Sequence, residues 1–191
     1  GFVPSVLEGN GVSNDYACKF RDPNGNILLS ERITPVSPTN LVCTVPAWGS
    51  RYVAIDTLLT VVKGDYEFAD PTIMYTFQSF WQSWSISVGQ IGGGEQLTIT
   101  GSGFNTSRLH KCKFSYNDGE LFAFSAEILP LDPQNAVCVT PQWRSWQEGK
   151  TSLQFLEMDR SLPQKLVAVT QFQNATFEFL PGFVVSQKSI E

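Results

Sequence analysis

The sequence predicts an all-β chain built as two tandem β-sandwiches. Three observations predict it: an internal repeat, strand-type periodicity almost throughout, and turn residues at short, regular intervals. The repeat fixes the frame for the rest. Ile33-Thr34-Pro35-Val36-Ser37-Pro38-Thr39-Asn40-Leu41-Val42-Cys43 reappears as Ile128-Leu129-Pro130-Leu131-Asp132-Pro133-Gln134-Asn135-Ala136-Val137-Cys138, an offset of 95 from Ile33 to Ile128. Tyr16-Ala17-Cys18-Lys19-Phe20 reappears as His110-Lys111-Cys112-Lys113-Phe114, an offset of 94 from Cys18 to Cys112. In a chain of 191 residues, two copies imply two domains. The expected boundaries are 1–79 for the first sandwich, 80–181 for the second and 182–191 for a C-terminal tail.

In chain order, the first turn signal is Asp22-Pro23-Asn24-Gly25. Val53 to Val62 is rich in β-branched residues and reads as one long or bent strand, closed by Lys63-Gly64-Asp65. Gln78-Ser79-Phe80-Trp81-Gln82-Ser83-Trp84-Ser85 joins the copies. It lacks Pro and Gly, so a short, stiff connection is expected, with Phe80, Trp81 and Trp84 either partly buried between the domains or in the second core. Gly92-Gly93-Gly94 marks a reversal, and Gln96-Leu97-Thr98-Ile99-Thr100-Gly101 then alternates polar and apolar residues. Asn117-Asp118-Gly119 and Asp132-Pro133 are further turns. Leu153 to Met158 alternates in part. Ala175-Thr176-Phe177-Glu178-Phe179-Leu180 places Ala and two Phe on one face. No stretch holds a helical period, and short strands with Gly/Pro/Asn punctuation belong to a sandwich.

A hydrophobic content of 42% is that of a globular chain. The net charge of −5, with no block of like charges, argues against nucleic acid and against an anionic membrane surface. No apolar run approaches the ~18 residues that cross a bilayer, so no membrane insertion is expected in this segment. The chain begins without an initiator Met or signal peptide and reads as a processed product, a fragment or one period of something longer. The four cysteines form two pairs of matching spacing, Cys18 to Cys43 and Cys112 to Cys138. One disulfide per repeat is the simple reading, and four buried free thiols the competing one. Zinc is disfavoured, because there is no C-x-x-C and a single His, His110. Asn105-Thr106-Ser107 and Asn174-Ala175-Thr176 are N-glycosylation sequons. With paired cysteines they point to an extracellular or cell-surface protein carrying N-linked glycan.

The second copy resembles an IPT/TIG domain, the immunoglobulin-like fold of plexins, Met-type receptors, fibrocystin-like surface proteins and some transcription factors. The resemblance rests on Ile91-Gly92-Gly93-Gly94 leading into a strand that ends Thr100-Gly101-Ser102-Gly103-Phe104, and on Cys138-Val139-Thr140-Pro141-Gln142-Trp143. The first copy offers Cys43-Thr44-Val45-Pro46-Ala47-Trp48. Both copies end in an aromatic strand, Met74-Tyr75-Thr76-Phe77 and Thr176-Phe177-Glu178-Phe179. Glycines at 92–94 allow a tight reversal, and Gly101 and Gly103 a kink. Pro46 and Pro141 would end the strand that carries the second Cys. The acidic balance departs from the DNA-binding branch of that family.

Gly1-Phe2 lines up with Gly103-Phe104, so the first copy is read as lacking its opening strands. An incomplete sandwich exposes an unpaired edge. The expected remedy is a strand from elsewhere, and Phe183-Val184-Val185 in the tail is the candidate donor. The leading expectation is a structural subunit of an extracellular filament or surface array, assembling with itself head-to-tail, either by strand exchange or as a covalent repeat array. The alternative is a ligand-binding or adhesive module of a receptor ectodomain, with Trp48, Trp143 and Trp146 as contacts. The equivalence of Trp48 and Trp143 argues instead for core or inter-repeat packing. A carbohydrate-binding accessory domain is a third, weaker option.

No enzymatic activity, cofactor or metal is expected. His110 is read as a strand-surface residue rather than a catalyst. Asp65, Glu67 and Asp70 could form a weak Ca²⁺ site but read more simply as a solvated edge. Neither a phosphate loop nor G-x-S-x-G is present.

Overall fold

The computed structural model describes residues 16–68, 73–116, 119–143, 149–158, 166–171 and 174–181. Their regular structure is β-strand, with a 3₁₀ turn at Trp48–Ser50. The chain divides into two compact units, Gly1–Gln78 and Ser79–Glu191.

The first unit carries β1 (Tyr16–Arg21), β2 (Ile27–Leu29), β3 (Asp56–Lys63), β4 (Tyr66–Phe68) and β5 (Met74–Thr76). They form one antiparallel sheet in the order β2-β1-β3-β4, with β5 also paired to β3. The β1–β2 turn follows from its residues. Asp22 Oδ1 accepts the amides of Asn24 and Asn26 at 2.9 and 2.8 Å, and Gly25 takes a φ of 88°. β3 begins at Asp56, so the run expected from Val53 is shorter at its start. The core gathers Phe20, Trp48 and Cys18, with Leu59, Tyr75 and Phe77 packed against them.

The second unit carries β6 (Phe80–Trp84), β7 (Val88–Gln90), β8 (Gln96–Ser102), β9 (His110–Tyr116), β10 (Leu121–Phe124), β11 (Asn135–Val139), β12 (Gly149–Met158), β13 (Leu166–Ala168), β14 (Thr170–Gln171) and β15 (Thr176–Leu180). One sheet runs β10-β9-β12-β15-β7 with β13 on β12, and the other runs β11-β8-β6-β14. Their inward residues, among them Leu97, Ile99, Phe114, Leu153, Phe155, Phe177 and Phe179, make one buried core. Alternation explains which residues face it: in β8 Leu97 and Ile99 are buried, in β15 Phe177 and Phe179. Gly93 and Gly94 take φ of 69° and 97°, as the reversal before β8 requires.

Phe80–Trp84 is β6, paired to β8. Trp81 is buried in the second core and Trp84 packs against it, so of the two placements considered the core holds for both.

Candidate functional site

The two units share one set of contacts around the disulfide. Cys18 bonds Cys43 and Cys112 bonds Cys138, with Cα atoms 6.0 and 6.2 Å apart. The competing reading of free thiols is thereby excluded. The amide of Cys18 donates to Ser30 Oγ at 2.9 Å, and that of Cys112 to Ser125 Oγ at 2.9 Å. Each serine in turn donates to the next carbonyl, that of Glu31 or Ala126. Thr57 Oγ1 donates to Tyr75 O at 2.9 Å, and Thr151 Oγ1 to Phe177 O at 2.7 Å. Trp48 stacks on Phe77 with centroids 5.0 Å apart, and Trp143 on Phe179 at 4.9 Å.

That stacking corrects the proposal that the tryptophans are ligand contacts. Trp48 and Trp143 are 1% and 5% exposed, and Trp48 Nε1 donates to Val53 O at 3.0 Å. A repeated tryptophan that bridges a loop to the last aromatic strand belongs to the core. Trp146 lies outside the described residues.

The units differ on one face. In the second, the inward residues of β9 and β12, Cys112, Leu153 and Phe155, are fully buried in the core that β8 also lines, and Phe104 packs edge-on to Phe155 at 5.1 Å. The equivalent residues of the first unit, Cys18, Leu59 and Val61, line a groove of about 520 Å³ with Tyr16, Leu41 and Phe68. Among the described residues no second sheet covers that face. Cys43 differs correspondingly from Cys138. Cys138 is on β11, paired to β8 at Leu97, whereas Leu41–Cys43 is in no strand. A strand needs a partner, and β8 has no counterpart among the described residues of the first unit.

The expected donor, Phe183-Val184-Val185, lies outside the described residues, as do Gly1 and Phe2. Of the sequons, Asn174 is exposed just before β15. Asn105 is half-buried in the turn after β8, where its Oδ1 accepts the amide of Ser107 at 3.0 Å.

Two acidic or basic features stand apart from the expectations. Glu67 is not free for a cation, because Lys19 reaches it at 2.6 Å, Arg21 at 3.4 Å and Thr60 Oγ1 at 2.9 Å. Hydrogen bonds from Lys19 and Thr60 hold its carboxyl below the ordinary range. Asp65 is exposed and Asp70 lies outside the described residues, among which no cluster of metal-ligating side chains occurs. His110 is not on the strand surface. It shares the inward face of β9 with Cys112 and Phe114 and is fully buried, a placement that the period of two from Cys112 would have given.

The second unit also carries an exposed aromatic edge that no local sequence signal marks. β10 ends its sheet and shows Phe122 and Phe124 to solvent, with Lys113 Nζ 5.3 Å from the Phe122 ring centroid and Lys111 Nζ 5.9 Å from that of Phe124.

Two disulfides suggest an oxidising, extracellular-type environment, and no described helix is long and apolar enough to cross a membrane. Comparison with family models finds no match, and comparison with curated proteins finds none either.

Proposed function

We propose that this chain is a structural module of an extracellular filament or surface array, built of two IPT/TIG-like, immunoglobulin-like sandwiches, without catalytic activity. One observation carries the reading: the apolar groove on the first unit's sheet, lined by Leu59, Val61 and Phe68, corresponds to a face that the second unit buries. A strand with apolar residues at alternate positions fits such a groove by adding to the sheet edge, as in strand-addition complexes. The tail strand Phe183-Val184-Val185 of a neighbouring copy, or the matching segment of an adjoining repeat, would supply it. Each added copy would offer its own tail in turn, which generates an open, head-to-tail array. The module is glycosylated at Asn105 and Asn174 and needs no cofactor.

The competing source is the chain's own Leu7-Glu8-Gly9-Asn10-Gly11, which matches Ile99-Thr100-Gly101-Ser102-Gly103 in its Gly-x-Gly ending and sets Gly11, in place of Gly1, against Gly103. Light scattering and negative-stain microscopy on the full chain and on a chain lacking 182–191 separate the two. Filaments that disappear on deletion are the expected result. A monomeric full chain, or filaments that survive deletion, would overturn the assembly mechanism.

A further inference from the structure

The second unit holds a template for filling the first unit's groove. In it β11 lies beside β8 in an antiparallel ladder, with Cys138 opposite Leu97, Val137 opposite Thr98, Ala136 opposite Ile99 and Asn135 opposite Thr100. Leu97 and Ile99 are fully buried, as are Ala136 and Cys138 across from them. The repeat offset of 95 carries Asn135 to Cys138 onto Asn40, Leu41, Val42 and Cys43. The alternation is kept there: Leu41 and Cys43 are half-buried, and Val42 between them is 64% exposed. Leu41 lines the groove, and Cys43 is bonded to Cys18, which lines it too. Among the described residues, no backbone group of Leu41, Val42 or Cys43 is hydrogen-bonded. The edge that takes β8 in the second unit thus has an unpaired counterpart in the first, with donors and acceptors to satisfy.

An occupant in the place of β8 must bring apolar residues to two alternate positions, opposite Leu41 and Cys43. The tail does so in one register. Phe183 and Val185 are both apolar, whereas a slip of one residue pairs Val184 with Gly182 or Ser186, and a further step pairs Val185 with Gln187. The chain's own Leu7 to Gly11, aligned by its glycines on Gly101 and Gly103, would bring Ser5 and Leu7 inward, one polar and one apolar. Phe183 is larger than Leu97, and Val61 is smaller than its equivalent Phe155, so the two volume changes oppose each other. Gly101 has to be glycine because a Cβ there would meet Phe80 O and Trp81 Cα of β6. The first unit has no counterpart of β6 among its described residues, so Gln187 can take that place.

We propose that the groove holds the tail of a neighbouring copy antiparallel to residues 40–43 in a single register, with Phe183 opposite Cys43, Val184 opposite Val42 and Val185 opposite Leu41. This rests on the reading that copies exchange strands, and it adds the direction and pairing of the exchange. Docked so, the tail lies across the Cys18–Cys43 bridge, which becomes as sheltered as the fully buried Cys112–Cys138. Pro181 and Gly182 alone separate the end of β15 from Phe183, so the tether from one copy to the next is short.

The test uses the full chain carrying Val42→Cys and Val184→Cys. Facing residues of an antiparallel pair lie within disulfide reach. Under mild oxidation the assembled protein should give a ladder of disulfide-linked multimers, and peptide mapping should place the link at 42–184. Val42→Cys combined with Val185→Cys, one residue out of register, should lose the link. The unmodified protein gives a second readout. A small dithiol reductant should open Cys18–Cys43 in the chain lacking 182–191 and spare it in assemblies of the full chain, with Cys112–Cys138 intact in both. Filaments whose link maps to another pair, or a Cys18–Cys43 bridge that reacts at one rate in both samples, would overturn the register while leaving strand exchange standing. A full chain that stays monomeric under the microscope would remove the exchange itself, and the register with it.

Discussion

Truncating Trp143 to alanine is expected to destabilise the second unit by about 4 kcal/mol. The figure is built from the structure. Trp143 is 5% exposed and lies flat on Phe179, centroids 4.9 Å apart and planes 8° apart. Removing a buried indole typically costs roughly 3–5 kcal/mol, cavity included. A stacked aromatic pair adds about 1 kcal/mol beyond area. Partial collapse of the site offsets some of this, because Trp143 opens onto a surface groove beside Leu121 and Ala123. Urea unfolding, followed by amide exchange resolved to each unit, measures the loss. With a slope of about 2 kcal/mol per molar urea, the second unit's midpoint should fall by about 2 M, while the first unit's stays put. Trp143→Phe should recover part of the loss by keeping a ring on Phe179. A Trp143→Ala loss of stability smaller than the roughly 0.5 kcal/mol typical of surface changes would refute the core assignment.

Replacing either disulfide by a pair of alanines should cost about 3 kcal/mol in its own unit, since the bridges close loops of similar length (sequence separations 25 and 26), as thermal melts of each variant would show. Gly101→Ala should be severely destabilising, because a Cβ there would meet the Phe80 carbonyl, the Phe104 ring at 2.5 Å and Trp81 Cα at 2.7 Å; poor soluble yield and early unfolding check it. At Glu157, burial pushes the carboxyl up, but the contact from His110 and the charge of Arg108 outweigh it and hold it below 4.5. Its contribution is therefore present above that value and lost as pH falls through the lower, folded one, so Glu157→Gln should flatten the acid limb of the second unit's stability curve below about pH 4.5.

The sequence made the all-β class, the disulfide pairs and the tryptophan positions legible, because each is written twice and repetition separates core from accident. Cys18, Trp48 and Phe77 have the same neighbours as Cys112, Trp143 and Phe179. Phe80–Trp84 was harder to place, since an aromatic run without Gly or Pro looks the same as a join or as a strand; only its ladder to β8 decides. His110 reads as a surface residue by type, while its parity with Cys112 and Phe114 puts it inside. The groove of the first unit and the Phe122–Lys113 pair depend on what lies across a sheet, and cross-strand neighbours are not encoded in local sequence.

The aromatic edge of the second unit bears on how the protein behaves in bulk. Among the described residues β10 presents Leu121, Phe122 and Phe124 at the open end of a sheet, the composition that recruits further strands from solution. Lys111 and Lys113, on β9, hold their ammonium groups over those rings, and Lys111 is also paired with Glu127 at 3.0 Å. Charge beside an apolar edge discourages further strand pairing, an electrostatic and hence salt-dependent effect. Colloidal stability of this protein should accordingly be set less by its overall charge than by two ammonium groups, and lysine acetylation or concentrated salt should turn a quiet edge into an adhesive one.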